Sequence, residues 1–163
     1  MHNVQIRALE PADRSWLRDF LIEHWGSPQM VYSQGIHQLD ELPGFVAWQE
    51  QVPVGLITFH RTADELEIVS LDSLREGHGI GSALIGAAEA AASEQSVRRV
   101  WLITTNDNLH ALRFYQKRGY DLVQIYRNAV EKAREIKPQI PRIGNDGIII
   151  QDEIELEKIL RKE

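Results

Sequence analysis

Leu71-Asp72-Ser73-Leu74-Arg75-Glu76-Gly77-His78-Gly79-Ile80-Gly81-Ser82-Ala83-Leu84-Ile85 decides how this chain is read. Three glycines at alternate positions separate a β-like run, Leu66 to Leu71, from an Ala- and Leu-rich stretch with helical spacing. Glycine tolerates positive φ and lets a ligand approach the backbone. A helix that starts at such a turn presents amide N–H groups and the positive end of its dipole. The stretch is therefore read as an anion cradle, and a phosphate compound is the ligand expected.

Two phosphate loops are excluded by spacing. A Walker loop ends in Gly-Lys-Ser/Thr, and no lysine lies between Val54 and Val97. The dinucleotide fingerprint needs a glycine three positions after its second glycine, where this chain has Ser82 or Leu84. An ordinary turn capped into a helix needs one glycine rather than three. Gly79-Ile80-Gly81-Ser82-Ala83-Leu84-Ile85 resembles the pyrophosphate loop of the GCN5-related N-acetyltransferase (GNAT) superfamily, which implies acetyl-CoA as co-substrate.

A second stretch supports the resemblance. Asn108-Leu109-His110-Ala111-Leu112-Arg113-Phe114-Tyr115-Gln116-Lys117-Arg118-Gly119-Tyr120 is similar to the family's Asn-x-x-Ala-x-x-Phe-Tyr-x-x-x-Gly-Phe/Tyr pattern. On a helix Asn108, Ala111 and Tyr115 share one face, and the small Ala111 leaves room for a ligand to lie close. The resemblance implies that Asn108 contacts the pantetheine arm and that Tyr115 sits by the thioester sulfur. A phenol there can protonate the departing thiolate as a general acid. Asn108 also suits a plain helix N-cap, and Tyr115 a core aromatic beside Phe114.

The family pattern further implies that Leu71, Asp72 and Ser73, at the end of the preceding strand, bond to pantetheine through their backbone. The amides from Gly77 through Ser82 (Gly77, His78, Gly79, Ile80, Gly81, Ser82) are expected to wrap the pyrophosphate, with His78 pointing outward. Glu76 departs from the Arg or Gln usual at its position, which puts its side-chain role in question; Arg75 stands one place earlier.

Glu67-Ile68-Val69 resembles the start of the equivalent strand in histone-type members, and this makes Glu67 the first candidate for general base. Asp72 is the second, and many members use a water chain instead. Strict alternation sets Glu65, Glu67 and Val69 on one face of the strand and Leu66, Ile68 and Ser70 on the other; Glu67 is then equally well read as a solvent-facing residue. A backbone N–H near Leu71 is expected to stabilise the tetrahedral oxyanion. Trp25 and Tyr32, flanking Gly26-Ser27-Pro28, are candidates to line the acceptor pocket, as is the loop from Pro138 to Gly147. The six histidines show no spacing of a metal site, and no metal is expected.

The remaining sequence bounds the reading. With 163 residues the chain suits a single domain spanning residues 1–163. The absence of cysteine excludes disulfides and thiolate chemistry. A formal net charge of −6 argues against a nucleic-acid partner. It favours a cationic acceptor slightly, but a surface kept soluble by carboxylates explains it as well. No apolar run approaches a membrane span and Met1 to Gln5 lacks the layout of a signal peptide, so the cytoplasm is expected.

Hydrophobic periodicity gives the order β-α-β-β-β-α-β-α-β-(α)-β, with Gln29 to Pro43 ambiguous. The expected fold class is α/β with a twisted mixed sheet flanked by helices on both faces, as the GNAT resemblance also implies. The function expected is acetyl transfer from acetyl-CoA to a primary amine of a small molecule or peptide, by direct attack in a ternary complex. Another acyl-CoA, an O-acceptor or a non-catalytic acyl-CoA sensor are the alternatives, and a homodimer is the family-based expectation.

Overall fold

A computed structural model of the chain describes residues 3–75 and 77–160. Nine strands and four α-helices appear among them in the order β1 (Gln5–Ala8), α1 (Arg14–Trp25), β2 (Gln29–Tyr32), β3 (Gly35–Gln38), β4 (Gly44–Gln49), β5 (Val52–Thr62), β6 (Glu65–Ser73), α2 (Ile80–Glu94), β7 (Arg99–Thr105), α3 (Leu109–Lys117), β8 (Asp121–Tyr126), α4 (Ala129–Ile136) and β9 (Glu153–Ile159). The class is mixed α/β, as expected. The ambiguous stretch resolves into the hairpin β2–β3 followed by a short 3₁₀ turn, Leu39–Glu41. No described helix is long and apolar enough to cross a membrane.

The chain divides into two compact units. The first holds residues 1–30, 37–100 and 160–163. Its strands β1, β4, β5 and β6 are successive antiparallel neighbours. Glu50 and Gln51 take positive φ in the two-residue turn joining β4 to β5, a turn type whose twist matches that of the strands. Leu17, Phe20 and Leu21 of α1 pack with Leu39, with Leu56 of β5 and with Val69 of β6. Each such buried side chain contributes roughly 1.5–3 kcal/mol. Gly26 ends α1 in the left-handed region at φ +79°, its N–H donating to Ile22 O at 2.9 Å. Asp13 clasps β1 to α1: it accepts two 2.8 Å bonds from the Arg7 guanidinium, one from the Trp16 indole and one from Glu10 N. The Arg7 bonds hold its carboxyl well below the usual carboxylate range.

Gly55 follows Val54 on β5 and precedes Leu56, so it faces the side of the sheet opposite α1. A Cβ there would lie 2.5 Å from Ile80 Cγ2 and 3.0 Å from Leu84 Cδ1. Bare backbone at Gly55 thus lets the first turn of α2 seat against the sheet. Helices flank both faces, as expected.

The second unit holds residues 31–36 and 101–159. Here β9 lies between β7 and β8, and β8 pairs antiparallel with β9. Alternation along β9 predicts outward glutamates, yet Glu153 is 1% exposed. Its carboxylate accepts from Ser33 N at 2.9 Å and from the Ser33 hydroxyl, partners 120 positions away in sequence. Buried Asp107 accepts from the Thr105 hydroxyl at 2.6 Å and from Asn145 N and Nδ2 at 3.1 Å each. The Arg134 guanidinium of α4 donates to the carbonyls of Ile140, Pro141 and Ile150. The loop read from sequence as a pocket wall is therefore held at both ends by buried or partly buried polar groups.

Candidate active site

The glycine stretch forms the turn read from sequence. Gly77 and Gly79 take φ of +78° and +72°, and a Cβ at either would meet nothing within 4 Å. Backbone conformation, not crowding, demands glycine there. Gly79 is the N-cap of α2 and, as a glycine, offers no side-chain cap of its own. The first bond of the ladder runs from Ala83 N to Gly79 O at 3.0 Å. The amides of Ile80, Gly81 and Ser82 lie ahead of it, at the positive end of the dipole. Such a glycine-led helix start suits an anion. His78 is exposed, as expected. Arg75 turns away from a phosphate role, its guanidinium donating to Gln49 Oε1 on β4. Glu76 lies outside the described residues.

Upstream, β6 runs through Leu71, Asp72 and Ser73, which pair with Ile57, Leu56 and Gly55 of β5. One step on β5, Thr58 to Phe59, spans two on β6, Ser70 to Ile68. Val69 is therefore the extra residue of a bulge, and strict alternation of faces fails there. Bulges of this kind re-aim side chains and gather beside active sites. Ser70 and Thr58 bond through their hydroxyls at 2.6 Å in the interior.

Glu67 is 6% exposed, which rules out the solvent-facing reading. His60 stands directly opposite it across the β5–β6 ladder. His37, at the end of the β2–β3 hairpin, places Nε2 3.5 Å from Glu67 Oε1. Neither histidine was singled out by sequence spacing: 23 positions separate His37 from His60, and no local pattern links such partners.

Asp72 is also withdrawn from water. Its Oδ2 has no hydrogen-bond partner among the described residues, and burial pushes the carboxyl up to about 6, against an indole bond from Trp25 and the nearby His24. The structure thus brings Asp72 together with Trp25, a predicted acceptor-pocket residue. Raised from 3.8 in the unfolded chain, this carboxyl favours the protonated native state, so its stabilising effect is complete below pH ~3.8 and is lost as pH rises through ~6. Asp72→Asn is expected to raise stability at pH 7.5, by about 3 kcal/mol at most. Thermal midpoints at pH 7.5 and pH 4 check this; the gain should vanish at the lower pH.

In the second unit, Asn108 caps α3 as its sequence allowed. Its Oδ1 accepts from Ala111 N at 3.1 Å and its Nδ2 donates to Thr104 Oγ1 at 3.2 Å. An amide has further donor and acceptor capacity beyond these two bonds. Ala111, one turn along, is half-buried. Tyr115 is 5% exposed, edge-on to Phe114 at 5.1 Å and to Tyr120 at 5.3 Å. Gly119, at φ +92°, follows the end of the helix in the left-handed region. Tyr32 lies half-buried on β2.

A mixed α/β scaffold carries a glycine-led helix start, α2, beside the end of β6. The chain belongs to the Acetyltransferase (GNAT) family, whose model matches residues 11–120. It is 48% identical over 145 residues to YdhI of Bacillus subtilis, covering 88% of this chain and 91% of that one. It is 51% identical over 143 residues to YxbD of the same organism, covering 87% and 90%. Among solved structures, it resembles a GNAT family acetyltransferase from Elizabethkingia anophelis with acetyl-CoA bound. That match has a TM-score of 0.68 at 20% identity and covers 97% of this chain and 99% of that one.

Proposed function

We propose that this protein transfers the acetyl group of acetyl-CoA to a primary amine of a small molecule or peptide. The observation that carries the reading is the pair of left-handed glycines, Gly77 and Gly79, that leads into the start of α2 in a chain of the acetyltransferase family. The Elizabethkingia neighbour, which holds acetyl-CoA, supports the choice of co-substrate.

In this reading the amides of Gly77 through Ser82 bind the pyrophosphate. The backbone of Leu71, Asp72 and Ser73 and the remaining capacity of Asn108 hold pantetheine, with Ala111 giving it room. Trp25 and Tyr32 line the acceptor pocket. The acceptor enters as an ammonium and loses a proton to Glu67, or to Asp72 as the second candidate. Its nitrogen attacks the thioester carbonyl in a ternary complex, forming a C–N bond and an oxyanion stabilised by an N–H near Leu71. The C–S bond then breaks, the Tyr115 phenol protonates the leaving thiolate, and the second proton of the new amide nitrogen is released to solvent, from which the phenol is restored.

Transfer itself is the test. Acetyl-CoA with a panel of primary amines should release CoA thiol in step with acetylated amine, and absence of amine-dependent release across the panel would refute the reading.

A further inference from the structure

The histidines around Glu67 raise a question that acetyl transfer does not answer. One carboxylate buried in the interior needs one counter-charge. Here two imidazoles approach it from different elements: His60 from β5, in register with Glu67, and His37 from the β2–β3 hairpin. Their rings lie 5.2 Å apart at 48°. A neutral imidazole offers one nitrogen lone pair to a ligand. One ligand atom from each of His37, His60 and Glu67 lies within 4.8 Å of the others.

We propose that His37, His60 and Glu67 form a binding site for one first-row transition-metal dication of the zinc type. Two imidazole nitrogens and one carboxylate oxygen suit Zn²⁺ or Co²⁺, whereas Mg²⁺ and Ca²⁺ prefer all-oxygen shells. Metal bonds of ~2.0–2.2 Å require the three groups to close in by about an ångström, which side-chain rotation supplies. The fourth position is left to water. Because the ion would take the Glu67 carboxylate, its binding also stops acetyl transfer; that consequence rests on the role proposed for Glu67, and the binding itself does not.

The test is titration of the metal-free full chain with Co²⁺, followed by its visible ligand-field absorption, and with Zn²⁺ in competition. A saturable one-to-one band is expected. His37→Ala and His60→Ala should each weaken it by at least ~10-fold, and His110→Ala should leave it unchanged. Should a variant fail to fold, paramagnetic shifts in the unaltered protein replace it: Co²⁺ should give the imidazoles of His37 and His60 the large contact shifts of metal-bound rings, and no other histidine should show them. No saturable band, or one that survives in a folded protein lacking both histidines, overturns the site. Rates of amine acetylation, read by mass spectrometry with and without Zn²⁺ and after chelation, separate the two assignments. Binding with inhibition reversed by chelation supports both, and binding without inhibition supports the site while overturning Glu67 as base.

Discussion

Tyr115→Phe is expected to lower turnover by ~10²–10³-fold while leaving acetyl-CoA affinity unchanged. The ring of Tyr115 is buried edge-on against Phe114 and Tyr120, and phenylalanine keeps those contacts. Only the hydroxyl is removed, so the variant tests the proton proposed to reach the leaving thiolate. Steady-state kinetics on a good amine acceptor, with acetyl-CoA binding measured separately, reads the effect. An acetyl thioester with a more acidic thiol should narrow the gap, because its thiolate leaves without help. A merely structural tyrosine would show no such dependence, and unchanged turnover would remove Tyr115 from the chemistry.

The second large effect is expected at Glu67. Glu67→Gln keeps size and shape in the buried position on β6 but cannot take a proton at neutral pH. For acceptors that are ammonium ions in the assay, kcat/KM should fall by ~10²-fold or more. For amines whose pKa lies below the assay pH, the loss should be slight, since they arrive already deprotonated. The variant's rate should climb with pH as the free amine accumulates. Equal losses for both classes of amine would point to distorted packing and against a base.

Much of this was legible in the chain because the signals are local. Gly77 and Gly79 announce positive φ and take it just ahead of α2. Asn108 announces a cap and makes one. Gly119 announces a helix end and takes the left-handed conformation there. What stayed hidden depends on partners far apart in sequence. The bulge at Val69 is defined by pairing with β5, and it cancels the alternation on which the solvent-facing alternative for Glu67 rested. The buried carboxylate of Glu153 is made tolerable by Ser33, and the convergence of His37 and His60 on Glu67 needs a hairpin and a strand to meet. Short strands such as Gln29–Tyr32 carry too few residues for periodicity to declare them. The acceptor residues fall in this non-local class, which is why the co-substrate is named more readily than the amine.

The central claim is acetyl transfer to an amine, and the release of CoA thiol from acetyl-CoA across an amine panel tests it most directly. Amine-dependent release matched one-to-one by acetylated product is expected, with acetyl-CoA raising the thermal midpoint of the native protein. Saturating acetyl-CoA that neither shifts the midpoint nor yields thiol with any amine would contradict it.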